Sequence, residues 1–303
     1  NSGTISASRN AIWNDGEIDT LTNSGTIKTT SGDYGIKHVR GTIGTLTKSD
    51  TIAAGGNWGI YNTTSSDGSA TITTLTNTGT ISASGNNIGI HNATSSTITT
   101  LNNSQGASGS ALTYQGKLPT NYNVIVNSTT DFGKTIFSDV SGQTNFGVHS
   151  GSTLSEGTYS SVLSGLTASE IASGTSEIHI NSNACDDIVG TSATVGSNCG
   201  DLDISGSNSN VTISSGVTVS GPGDQNWTLT NSTGSLWDLV VEDEDDVLNT
   251  GTATTLTNLG TISTGDDWGI LNDTNASFTT LSNSGAISAS TDFGIYNKGL
   301  ITS

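Results

Sequence analysis

The chain has 303 residues, with 26 acidic residues against eight basic ones and a formal charge of −18. Clustered Lys and Arg are therefore lacking and no nucleic-acid partner is expected. Only 31% of it is hydrophobic and 11% charged, Gly, Ser, Thr and Asn filling most of the rest. Such a bias signals either disorder or a repetitive β architecture, depending on whether the apolar residues recur in register. No run of 18 apolar residues, signal peptide or anchor is read, so any membrane anchoring would not be through this chain.

The apolar residues do recur. One motif runs Leu21-Thr-Asn-Ser-Gly-Thr-Ile27, Leu46-Thr-Lys-Ser-Asp-Thr-Ile52 and Leu75-Thr-Asn-Thr-Gly-Thr-Ile81, with a degraded copy from Leu101. It returns as Leu256-Thr-Asn-Leu-Gly-Thr-Ile262 and Leu281-Ser-Asn-Ser-Gly-Ala-Ile287, giving a period of 25 to 29 residues. A second motif follows each full copy: Gly35-Ile36, Gly59-Ile60-Tyr-Asn62, Gly89-Ile90-His-Asn92, Gly269-Ile270-Leu-Asn272 and Gly294-Ile295-Tyr-Asn297. A third apolar position precedes each Leu by three, as in Ile18, Ile43, Ile72, Ile98 and Phe278.

Thr and Ile favour extended backbone, and Gly and Asn accept the left-handed conformations of tight corners. Three short strands per repeat, stacked about 4.8 Å apart, would build a continuous narrow core. The predicted fold class is all-β, a parallel β-helix (β-solenoid) in two halves flanking an inserted β-rich module. The expected domains are residues 1–110 and 242–303 as solenoid and 111–241 as the module, such as a sandwich. Within the module, strands are predicted at Tyr122–Val126, Glu177–Ile180 and Val211–Val219, and a hairpin at Trp227–Val241 around Ser232-Thr-Gly-Ser235. The repeated Asn would serve as turn formers, as rungs of amide ladders, or as both.

Candidate chemistry is sparse. Asp266, Asp267 and Asp292 occupy equivalent loops and could be a carboxylate pair or simply solvated turns. His38, His91, His149 and His179 lie far apart and form no triad, so no catalytic residue is assigned and no enzyme is expected. Trp13, Trp58 and Trp268, beside the Gly-Ile motif, are either sugar-stacking platforms or corner packing. The run Glu242, Asp243, Glu244, Asp245, Asp246 is a solvated linker or an irregular calcium site; calcium is the one candidate cofactor. In an extracellular chain Cys185 and Cys199 read as a local disulfide, worth about 3 kcal/mol. A Thr-rich ice-binding face is disfavoured by the variable repeat length.

The ends match in register. Asn1-Ser-Gly-Thr-Ile5 and Ile12-Trp-Asn14 resume the two motifs mid-repeat, while after Ile295, Asn297, Leu300 and Ile301 two further residues, Leu-Thr, would join a second copy of the N-terminus in register. This reads either as a segment of a longer repetitive protein or as subunits that self-associate head to tail, a heterologous geometry that makes filaments.

The Leu-Thr-Asn-Ser-Gly-Thr-Ile and Gly-Ile-Tyr-Asn repeats resemble passenger regions of bacterial autotransporter-type surface proteins. The stretch Ala111–Val126, through Gly157–Gly165 to Trp237–Val241, resembles a module that follows such repeats in that group. The resemblance implies export across a Gram-negative envelope and display at the cell surface. The expected role is a secreted structural or adhesive protein, with surface glycans or neighbouring cells as further partners. The alternative is a carbohydrate-binding or carbohydrate-active β-helix.

Overall fold

The structure, a computed structural model, describes residues 1–302 except 65–67, 107, 156, 174, 179–187, 191, 201, 208, 220–224, 234, 244–246, 265–267 and 291. For 173, 175–178, 189, 225, 226, 228, 233, 242 and 243 only the backbone is described. The chain forms an all-β parallel solenoid of about ten turns. It divides into two compact units, Asn1–Ser176 with Trp227–Val241, and Glu177–Asn226 with Glu242–Ser303.

In the first unit three faces wind in sequence. The first face stacks Thr4–Ala7, Thr26–Thr29, Thr51–Ala54 and Thr80–Ala83 in parallel. Its inward column is Ile5, Ile27, Ile52 and Ile81, each paired with the next. The second face carries the column Ile12, Ile36, Ile60 and Ile90. The third carries two columns, Ile18, Ile43, Ile72, Ile98 and Leu21, Leu46, Leu75, Leu101. Beyond the first coil every member of these columns is at most 1% exposed. Burial of each such side chain is worth roughly 1.5–3 kcal/mol, and stacking is what removes them from water.

The motif glycines have a different reason from the one expected. Positive φ occurs at Gly41, Gly116 and other glycines outside the two motifs, not at Gly35, Gly59 or Gly89. What these motif positions need is close approach: a Cβ at Gly59 would lie 2.6 Å from Ile81 Cγ2 and 2.7 Å from the Gly89 carbonyl oxygen. Packing of neighbouring faces, rather than a left-handed corner, selects glycine there.

The boundary expected at 110 does not coincide with a break in the strand ladders, whereas the one at 241 falls where the chain passes from the first unit to the second, and most of the middle stretch is further solenoid. Leu112–Lys117 stacks in parallel on Ile88–Asn92, and Asn121–Val124 on Thr97–Asn103. Thr135–Ser141 and Thr144–Val148 follow in the same way, then Gly157–Ser164 and Ile171–Ser173. The first face, however, stops at Thr80–Ala83. Gln105, standing where four of the five full copies of the motif have Gly and the other has Asp50, fills the vacated slot. Its Oε1 accepts from Ile81 N at 2.8 Å and its Nε2 donates to Ile81 O at 3.3 Å, as a neighbouring strand would.

With that face gone, larger side chains fill the interior. Tyr114 and Phe137 continue the Ile column, and Tyr122 and Phe146 the Leu column. Both tyrosines are fully buried, and their hydroxyls are satisfied, Tyr114 donating to Lys117 O at 2.6 Å and Tyr122 bonding to Thr135 Oγ1 at 2.8 Å. The change from aliphatic to aromatic columns is why the repeat fades in the sequence although the coil persists.

The hairpin expected at Trp227–Val241 is formed by Gln225–Thr233 and Leu236–Asp243. Rather than belonging to a sandwich, its second strand pairs antiparallel with Gly157–Ser164. Trp237 is buried there and donates from Nε1 to Leu166 O at 2.9 Å. The antiparallel hairpin thus covers the last parallel strand of that face in the manner of a solenoid cap.

The second unit begins its coils near Ile188, not at 242. Leu202–Ser205, Asn210–Ile213 and Thr218–Val219 lie beneath Val247–Asn249, Thr252–Asn258 and Thr261–Thr264. Trp268–Asn272, Ser277–Asn283 and Ala286–Ala289 follow. The columns Val211, Leu256, Leu281 and Val219, Ile262, Ile287 define its core.

Asn residues do both things expected of them. Each amide nitrogen donates to the counterpart one coil on: Asn62 to Asn92 at 2.9 Å, Asn77 to Asn103 at 3.0 Å, Asn258 to Asn283 at 2.9 Å, and Asn249 to Asn272 and Asn272 to Asn297 at 2.7 Å. Several also accept, through Oδ1, the N–H two residues on, as Gly79 to Asn77 and Gly260 to Asn258. Asn249 is a rung that the motifs did not reveal.

Lys48 interrupts one ladder, paired in register with Asn23 and Asn77. It is fully buried, and its Nζ has no hydrogen-bond partner among the described residues. Desolvation pushes its pKa down to about 8, with Asp50 opposing. Between pH 8 and the ordinary 10.5 the unfolded chain therefore holds more protons, and stability rises with pH. Lys48→Asn is expected to stabilise the protein by about 1–3 kcal/mol at pH 7. That gain should shrink as pH rises from 8 toward 10.5, measured by urea unfolding.

Candidate aromatic-lined face

On the second face of the first unit, residues flanking the buried Gly-Ile pair point outward, and register stacks like upon like. Tyr34 lies 5.5 Å from Trp58 and 5.0 Å from Tyr61, and Trp58 lies 4.4 Å from Tyr61 and 4.6 Å from His91, centroid to centroid. Their planes are inclined by 13° to 37°. The Lys37 ammonium sits 4.3 Å from the Trp13 ring centre and 4.9 Å from that of Tyr34. Burial, then Asp33 and Tyr61, raise the Tyr34 pKa, while Arg9 lowers it. The row continues in polar form: His91 Nδ1 bonds to Gln115 Oε1 at 2.9 Å, and Gln115 donates to Asp139 at 2.9 Å.

The second unit builds a shorter version from the same motif. Tyr296 lies 4.9 Å from Trp268 and 5.7 Å from Phe293, and Lys298 Nζ is 5.0 Å from the Trp268 ring centre.

A sugar stacks on a free ring face. Near-parallel rings at these separations turn their faces to one another and offer solvent only their edges. Trp58, stacked between Tyr34 and His91, is therefore a packing residue of the face, and Trp268 leans at 37° against Tyr296 with Lys298 beside it. Trp13, 55% exposed beside Lys37, and Phe293, 54% exposed, have ring surface to offer a ligand. Spacing in the sequence named the tryptophans but could not show which ring faces were occupied.

The other expected residues fall as follows. Ile5, Ile12 and Asn14 continue the columns of the first unit, and Asn1 donates to Asn23 Oδ1 at 2.7 Å as a ladder rung. Ile295 pairs with Ile270, Asn297 with Asn272, Leu300 with Ser277 and Ile301 with Phe278 in the second unit. Each unit thus keeps its terminal motif in register. Cys199 is disulfide-bonded, whereas Cys185 lies outside the described residues.

Of the acidic run, Glu242 and Asp243 close a strand with their side chains undescribed, and Glu244, Asp245 and Asp246 lie outside the described residues. So do Asp266, Asp267 and His179, while Asp292 is exposed. Among the described residues no cluster of His, Cys, Asp and Glu could hold a metal ion. His38 is buried in a ladder and His149 accepts from Gly151 N at 3.0 Å, so the described histidines stay apart.

The ending of the first face leaves two hollows that the sequence did not announce. One, of about 450 Å³, runs along Thr80–Ala83 to Thr113; the other, of about 260 Å³, is lined by Thr78, Ser104, Asn127 and Asp131. Asp131 is already engaged by Ser108 at 3.0 Å and Asn127 at 3.1 Å. Neither hollow's lining includes a second carboxylate, so the acid and base pair of glycoside hydrolysis is not assembled there.

Loss of a ring from within the stack should cost more than loss of the exposed ring. Trp58→Ala is expected to destabilise by about 2–4 kcal/mol and Trp13→Ala by less than about 1 kcal/mol, measured by chemical unfolding.

No family model matches the sequence, no curated protein matches it, and no solved structure matches the fold.

Proposed function

We propose that the chain is a structural or adhesive part of an extracellular, cell-surface fibre, built by end-to-end stacking of β-coils and displayed on a bacterial surface. The observation that carries the reading is the contrast between capped and uncapped coils. In the first unit the last parallel strand of the second face, Gly157–Ser164, is covered by the antiparallel strand Leu236–Asp243, itself followed in the sheet by its hairpin partner Gln225–Thr233. The strands Thr4–Ala7 and Asn10–Asp15 pair on one side only among the described residues. They keep core columns, and Asn1 and Asn14 keep the ladders, ready for a further coil. In the second unit, Phe293–Asn297 and Leu300–Ile301 likewise present Ile295 and Leu300, 42% and 61% exposed.

A further coil would add main-chain hydrogen bonds, apolar burial and Asn rungs at once. It would come from a second copy or from more of the same protein. The resemblance to autotransporter passengers supports the surface location. No catalytic role or cofactor enters this reading, and calcium at the acidic run would only stiffen the chain locally.

Electron microscopy and light scattering of the purified chain over a concentration series test the reading. Concentration-dependent filaments or end-to-end oligomers are expected, and dispersed monomers at every concentration would count decisively against self-stacking.

The second reading, a carbohydrate-binding or carbohydrate-active β-helix, is favoured by the exposed Trp13 beside Lys37. It predicts that a polysaccharide panel quenches or shifts tryptophan emission in the wild type and not in Trp13→Ala. Release of reducing ends or unsaturated products would replace the structural reading with an enzymatic one.

A further inference from the structure

Both asparagine ladders of the first unit are interrupted in the same coil, within the single strand Tyr34–Lys48 that runs through two faces without a break. Lys48 takes one rung and His38 the other, and both are fully buried. We infer that this coil is a proton-sensitive seam, at which protonation of His38 unties the first coil from the second.

The hydrogen bonds fix the state of the ring. His38 Nε2 lies 3.1 Å from Gly41 O and 3.3 Å from Thr71 O, two groups that can only accept, so Nε2 carries the proton. Nδ1 lies 3.0 Å from Asn14 Nδ2 and accepts from it. The Asn14 amide is held in that orientation because the same nitrogen donates to Gly16 O at 2.9 Å. A carboxamide rung offers both a donor and an acceptor to its neighbours, whereas a protonated imidazole offers only donors. Adding a proton at Nδ1 sets an N–H against an N–H across the joint between coils.

The surrounding charges do not compensate. Asp15 is engaged with Arg40 at 3.0 Å, and Glu17 accepts from Thr42 N at 2.8 Å. Glu17 favours the charged ring from a distance, but burial outweighs it and the carbonyl bonds, so His38 titrates below its ordinary 6.5. Asp19 lies on the strand Ile18–Asn23 stacked against this coil, Lys28 on the coil's own first strand, Thr26–Thr29, and Lys48 with Asp50 lies at its other end. The unfolded chain takes up its proton first, so stability is full above 6.5 and is lost as pH falls through the folded value.

Hydrogen exchange of the whole chain at pH 7.5 and 5.5, corrected for intrinsic rates, reads this directly. At pH 5.5 the amides of residues 4–23 should lose protection severalfold, up to the limit of about tenfold that a single proton taken up at 6.5 allows, while those of residues 70–103 keep theirs. His38→Asn, which restores the rung, should abolish the difference, and Asn14→Asp, which supplies a carboxylate acceptor, should reverse it. Equal protection of residues 4–23 at both pH values, or the same loss in His38→Asn, would overturn the inference. So would a His38 ring titration, followed by NMR in the wild type, with its midpoint above 6.5.

Discussion

In a parallel solenoid the nearest neighbour of each residue along the axis is its own counterpart one coil away. Every side chain must therefore be compatible with a copy of itself at strand spacing. Isoleucine and leucine meet this by burial, and asparagine by having a donor and an acceptor on one carboxamide. Aromatic rings meet it by lying face upon face. The three columns of this protein, apolar, amide and aromatic, are three chemical answers to that constraint. Lysine and protonated histidine are poor answers, because a cation cannot hydrogen-bond to another copy of itself. That is why the coil holding Lys48 and His38 has pH-dependent energetics.

The same constraint decides how much could be read from the sequence. Leu21, Leu46 and Leu75 recur because each holds the same place in the same column, and fold class and core positions followed from them. The coils from Leu112 to Ser173 were missed because Tyr114, Tyr122, Phe137 and Phe146 occupy those columns with a different residue class. Periodicity of identity was lost there while periodicity of direction persisted. The hairpin near Trp227 was legible from its local pattern, but its pairing with Gly157–Ser164 was not, since nothing local encodes a partner some 75 residues away.

For the aromatic face, the sequence supplied the ring types and their spacing beside Gly-Ile. Whether a ring is a platform or a brick depends on what covers its faces, and that is set by the adjacent coils. Tyr34 and Tyr61 answer it for Trp58. The motif glycines show a similar limit. Their conservation of place is visible in the repeat, yet the reason, contact between Gly59 and the Ile81 side chain, belongs to the fold.

Gln105 ends one face while the other two continue for further coils. The three walls of a solenoid can thus be terminated independently, by a side-chain amide imitating a strand for the length of one residue. Cross-section then becomes an adjustable property along the axis: a three-walled tube can taper to a two-walled one filled with aromatic rings, with no interruption of the winding. A chain of this kind can change its girth, and with it the hollows on its flank, by altering one glycine position and the bulk of the columns that follow.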